Sequence, residues 1–158
     1  MIRKIVLRLI TKLLKYYSYK SKRMVACYND SIGFEIIING FYEKSILDLL
    51  RSKFPEKMRN TIFLDIGANI GNHSLYFSDF FDKIFCFEPQ IKTFKILKLN
   101  TTSLKNIKLF NYGLAPEEEE MIFNIPDSNS GMAKILQKSI STYKELVKLR
   151  PFPAGIEG

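Results

Sequence analysis

Two carboxylates and two glycines carry the chemistry that this sequence can do. In TIFLDIGANIGNHSLYF, residues 61–77, an apolar run ends in Asp65. Gly67 and Gly71 follow, four residues apart, and a second apolar series then begins at helical spacing. In IFCFEPQ another apolar run ends in Glu88, 23 residues after Asp65, and Pro89 stops it. Each acid stands at the carboxyl end of a predicted strand, which is where ligands bind in an open α/β sheet. Glycine reaches backbone angles closed to other residues and lets a ligand approach the main chain. The helix predicted over 72–81 would offer its first N–H groups to electron-rich ligand atoms.

The residue types discriminate between ligands. A dinucleotide turn needs G-x-G-x-x-G to seat a pyrophosphate. GANIG lacks that spacing, and an acid two residues ahead of the first glycine repels phosphate. A cationic ligand without phosphate suits the turn better. S-adenosylmethionine is such a ligand, so electrostatics favour the methyl donor over NAD, which stays as the rival. Glu88 is placed to accept hydrogen bonds from ribose hydroxyls. The plain alternatives are a surface acid for Glu88 and a helix-capping or turn acid for Asp65.

The elements that must position these residues follow from periodicity. Phe34 to Ile38 reads as a strand, Asn39-Gly40 as a turn, and Ser45 to Lys53 as a helix closed by Pro55. Thr61 to Ile66 is a predicted buried strand, Asn72 to Phe81 a helix, and Lys83 to Phe87 a strand. PQIKTFKILKLNTT is a helix with Phe94 and Leu97 on one face, IKLFNYG a third strand and MIFNI a fourth. Glu117 to Glu120 read as a solvated hairpin tip. Ile135 to Leu149 has helical spacing, and RPFPAGIEG has coil composition. Strands and helices alternating with crossovers of this length predict a parallel-sheet α/β core.

The chain has 158 residues, enough for one compact domain. Its net charge of +8 is local. Arg3, Lys4, Arg8, Lys12, Lys15, Lys20, Lys22 and Arg23 stand in residues 1–24 without an acid, and the remaining chain is neutral. A nucleic-acid groove needs charge spread along the fold, so no nucleic-acid partner is expected. In the same segment Ile2, Ile5, Val6, Leu9, Ile10, Leu13, Leu14 and Tyr17 form an apolar stripe. The expectation is a basic amphipathic helix lying on an anionic membrane surface or a partner, against a helix packed on its own domain. Neither a signal peptide nor a transmembrane helix is read, which predicts a cytoplasmic chain, peripheral at the membrane if the basic helix lies on lipid rather than on its own domain. Cys27 and Cys86 have no metal-site or disulfide spacing, and Cys86 reads as a small buried thiol. No metal is expected.

FLDIGANIGNHSLYF together with FCFEPQIKTFKILKLN resembles the FkbM-type methyltransferases, a family of S-adenosylmethionine-dependent O-methyltransferases. The upstream GFYEKSILDLL and the later NYGLAPEEEEMIFNI are similar to the same family, so the match covers roughly residues 34–135. The resemblance implies a Rossmann-like class I methyltransferase fold. It implies that Asp65, Gly67, Ala68, Asn69 and Gly71 form the cofactor turn, with Asp65 toward the amino-acid end of S-adenosylmethionine and Glu88 on the ribose. Asn69 and Asn72 would fix the turn by side-chain hydrogen bonds, and His73 would stand near the ligand. The acceptor would be a hydroxyl on a sugar, glycolipid or small metabolite. Family members continue with further strands that nothing here matches, so the chain resembles the front portion of the fold, truncated on its C-terminal side.

The organisation expected is a basic helix over 1–24, a cofactor-binding core over 25–135, and a helix with a coil tail over 136–158. His73, Tyr112 and Asp127 are available by type as a base, and no spacing selects one. Two other classes stay open: a non-catalytic remnant or membrane-associated interaction module, and an NAD-binding oxidoreductase fragment. Oligomeric state is not readable.

Overall fold

The computed structural model describes residues 4–9, 12, 24–26, 31–54, 57–125 and 143–154. Residues 4–9 and 12 are helical. The first named helices are α1 (Ser31–Asn39) and α2 (Lys44–Ser52). Then come β1 (Met58–Ile66), α3 (Asn72–Tyr76), β2 (Phe81–Phe87), α4 (Ile91–Thr101) and β3 (Ile107–Phe110). The short β4 (Gly113–Leu114) precedes β5 (Glu119–Ile125) and β6 (Tyr143–Arg150).

β1, β2 and β3 form a parallel sheet in that order, with Asp65 beside Cys86 and Phe87 beside Phe110. The α/β core with a parallel sheet is therefore as the alternation of elements predicts. β2 is buried from Ile84 to Phe87. β1 is more open than expected. Asp65 is buried, but Leu64 and Ile66, on its other face, are exposed. Phe63 lies 5.3 Å from Phe77 and 5.2 Å from Phe81 between ring centroids, and Phe80 and Leu97 are buried in the same cluster. Phe does most of the filling here, each buried ring contributing about 1.5–3 kcal/mol.

Several expectations change. The Phe34–Ile38 segment is the helix α1, not a strand. Its three isoleucines favour a strand locally, but Gly33 and Ile36 are buried one helical turn apart. Gly40, at φ +82°, donates its N–H to the Ile36 carbonyl at 2.8 Å. Asn39-Gly40 is thus a helix C-terminal stop rather than a hairpin turn.

The helix predicted over 72–81 ends at Tyr76, and residues 77–80 are a turn leading into β2. IKLFNYG divides at Asn111 and Tyr112 into β3 and β4. Asn111 donates its side-chain amide to the Glu88 carbonyl at 2.8 Å, which turns the chain out of the first sheet.

The 135–149 helix gives way to the strand β6 over 143–149, while 135–142 lie outside the described residues. In β6, Glu145, Val147 and Leu149 are buried, and Lys144, Leu146, Lys148 and Arg150 are exposed. That is strict period-two alternation, concealed in the sequence because one inward position is a glutamate. β6 pairs parallel with β4 and antiparallel with β5, giving the order β4-β6-β5. Glu117 to Glu120 are exposed, as expected, yet they form no hairpin tip: Glu119 and Glu120 already lie in β5, and β6 separates β4 from β5. Among the described residues no helix is long and apolar enough to cross a membrane.

Candidate functional site

The turn after β1 runs through three left-handed residues, Gly67 at φ +77°, Asn69 at φ +50° and Gly71 at φ +92°. Asparagine is among the few side chains that tolerate this region. The N–H groups of Gly67 and Ala68 both donate to the Phe87 carbonyl, at 2.9 and 3.0 Å, fastening the turn to the end of β2. A Cβ built on Gly67 would meet no heavy atom within 4 Å, so this part of the turn borders open space. A Cβ on Gly71 would stand 2.8 Å from Leu97 Cδ1, so this glycine admits α4.

Asp65 is 5% exposed and Glu88 3%. Asp65 Oδ2 accepts the Ser74 N–H at 3.1 Å and the Ser74 hydroxyl at 2.5 Å. Ser74 Oγ also lies 2.9 Å from Cys86 Sγ. The first turn of α3 therefore gives this N–H to Asp65 rather than holding it for a ligand. Burial raises the Asp65 carboxyl above its ordinary range, against the Ser74 hydrogen bonds and the nearby His73. Burial likewise pushes the Cys86 thiol up to about 12, so it is an inert core group, as its apolar surroundings predict.

Glu88 joins the turn to α4. Its Oε2 accepts the Asn69 N–H at 2.9 Å and its Oε1 the Gln90 N–H at 2.8 Å. Burial pushes this carboxyl up to about 7. The two backbone hydrogen bonds oppose the rise, while Glu145 and Asp65 add to it.

The structure brings all eight sequence-predicted residues, Asp65, Gly67, Ala68, Asn69, Gly71, Asn72, His73 and Glu88, to the ends of β1 and β2. Two act differently from expectation. Asn69 bonds through its backbone. Asn72 turns its amide away to the upstream chain, accepting the Tyr42 N–H at 2.9 Å and donating to the Tyr42 carbonyl at 3.0 Å. His73 is half-buried on α3. Tyr112 packs against Phe87 and Phe110 with Arg150 over its ring. Asp127 lies outside the described residues.

Sequence reasoning missed three residues. Ser74 is a small polar residue on the short helix α3, and only its distance from Asp65 reveals its role. Asn100 donates to the Ile70 carbonyl at 2.8 Å, and it accepts the Val25 N–H at 2.7 Å. It holds the back of the turn and an upstream segment together. Glu145 Oε1 accepts the Ile91 N–H at 2.6 Å, so a strand far along the chain caps α4.

No protein-family model matches the chain, and no curated protein matches it. Among solved structures it is similar to methyltransferase FkbM from Methylobacillus flagellatus KT, at 16% identity and TM-score 0.39, over 87% of this chain and 28% of that one. It is similar to an rRNA methylase from Streptococcus thermophilus at 17% identity and TM-score 0.38, over 44% of this chain and 38% of that one. It is also similar to a SAM-dependent methyltransferase from Aquifex aeolicus at 20% identity and TM-score 0.36, over 45% and 41%. The chain spans 28% to 41% of the length of these structures.

Proposed function

We propose that the turn binds S-adenosylmethionine and that the chain is the cofactor-binding part of an FkbM-type methyltransferase acting on a hydroxyl of a sugar, glycolipid or small metabolite. One observation carries the cofactor reading, and the family and acceptor follow from the resemblance of residues 34–135. Two buried acids, Asp65 and Glu88, end neighbouring parallel strands and are linked by a left-handed glycine turn that borders open space. Residues 65–73 and 86–91 contain no Lys or Arg, so nothing there would neutralise a phosphate. The donor set fits a cationic, phosphate-free ligand.

When bound, S-adenosylmethionine would supply a methyl group on a sulfonium leaving group. Asp65 would face its amino-acid end, Glu88 would accept from its ribose hydroxyls, and the Gly67–Ala68 backbone would lie against it. The chain's contribution is then orientation and exclusion of water. A remnant reading has its own support, since both carboxylates already accept N–H groups within the protein.

Isothermal titration of the full chain with S-adenosylmethionine and with NAD decides between these readings. Saturable binding of the methyl donor alone supports the proposal. Binding of NAD in its place overturns it, and binding of neither leaves the acids as supports of the turn.

A further inference from the structure

Helical residues 4–9 are exposed throughout, including Ile5, Val6, Leu7 and Leu9. The apolar stripe expected of this segment is therefore not buried against the domain at these positions. Two further helices repeat the pattern. In α1, Phe34, Ile37 and Ile38 stand at i, i+3 and i+4 and are 60%, 44% and 49% exposed, while Gly33 and Ile36 are buried. In α2, Ile46, Leu49 and Leu50 occupy the same spacing and are exposed, while Leu47 is buried. Single exposed aliphatics are ordinary. Three helical stretches that each present large apolar side chains to solvent exceed that ordinary scatter and point to contact.

Charge selects the occupant. Residues 1–24 carry eight basic side chains and no acid, which accounts for the whole net charge of +8. A second copy of the chain would bring the same positive segment and repel it. A surface that is anionic outside and apolar within satisfies both features, and a lipid bilayer with acidic headgroups has that composition.

We propose that these exposed stripes dock the protein on an anionic membrane, the N-terminal helix lying among the headgroups and the apolar side chains of α1 and α2 inserting shallowly. The inference does not depend on what the glycine turn binds.

The test is co-sedimentation of the full chain with vesicles of phosphatidylcholine alone and of phosphatidylcholine mixed with phosphatidylglycerol. The chain should bind only the mixed vesicles. It should dissociate at about 1 M salt, where the screening length falls to roughly 3 Å. Arg8→Gln, Lys12→Gln and Lys15→Gln combined should weaken binding roughly a hundredfold, at about fivefold for each charge. Phe34→Ser with Ile38→Ser, at exposed positions, should also weaken binding while the circular dichroism spectrum is retained. Equal binding to both vesicles, or no binding, overturns the proposal. So does a dimer in ultracentrifugation that Phe34→Ser breaks while vesicle binding is unchanged.

Discussion

The Asn69 N–H donates to Glu88 Oε2 at 2.9 Å, joining residues 19 apart. The acid at the end of β2 is thus a structural part of the glycine turn as well as its proposed ribose acceptor. With Gln90 on the other oxygen, one carboxylate fixes both the turn and the start of α4. Glu88→Ala should weaken S-adenosylmethionine binding tenfold or more, since a hydrogen bond to a charged group contributes about 1.5–3 kcal/mol. Calorimetric titration of the variant checks this, and affinity equal to the parent's removes Glu88 from the site.

Asp65 and Ser74 separate packing from ligand binding. Ser74→Ala removes the hydroxyl bonded to Asp65 but keeps the Ser74 N–H on the same oxygen. It should lower stability by about 1 kcal/mol and leave donor affinity within a few fold. Asp65→Ala should lower both, with donor affinity falling at least tenfold. Chemical denaturation and titration on the two variants give the comparison. Equal losses of affinity would make Asp65 a packing residue only.

The position of Glu88 sets a pH dependence. Its folded-state pKa, about 7, lies above the ordinary 4.5 because burial penalises the charged form. Below 4.5 both folded and unfolded chains hold the proton, and the group makes no difference. As pH rises toward 7 the unfolded chain ionises first, so stability falls, and above 7 the curve flattens. The fall corresponds to on the order of 3 kcal/mol. Asp65, also raised by burial, slopes in the same direction. Denaturant midpoints measured from pH 4 to 8 should show this fall in the parent and a much shallower one in Glu88→Gln. Identical slopes would assign the dependence to other groups.

The parallel core was legible because β1 and β2 finish in apolar runs closed by Asp65 and Glu88, and β3 closes at Asn111. What escaped reading depended on partners far along the chain. Ile36 to Ile38 favour a strand until Gly33 and Gly40 are seen packing and ending a helix. β6 alternates with period two, but its inward Glu145 caps the Ile91 N–H, 54 residues away, which the local pattern does not reveal. Asn72 looks like a turn residue and instead clamps the Tyr42 backbone. Local pattern reports burial well and reports a buried polar side chain poorly, since that side chain's partner is a tertiary fact.

The two glycines of the turn should fail in different ways when substituted. Both are left-handed, so alanine at either strains the backbone by about 1 kcal/mol. At Gly71 the added Cβ also meets Leu97 Cδ1 at 2.8 Å, and Leu97 is fully buried, so its side chain would have to shift within the core. Gly71→Ala should therefore cost a further 1–3 kcal/mol or so as an overpacked core position, lowering the thermal midpoint markedly. At Gly67 the Cβ meets nothing within 4 Å, so Gly67→Ala should lose only the strain. It would, however, put a methyl group into the open space where the proposed donor lies against the backbone. Thermal denaturation with donor titration should show Gly71→Ala as the less stable variant and Gly67→Ala as a near-normally stable one that binds S-adenosylmethionine at least tenfold more weakly. A Gly67→Ala chain with parental affinity would mean that the donor does not approach the turn there.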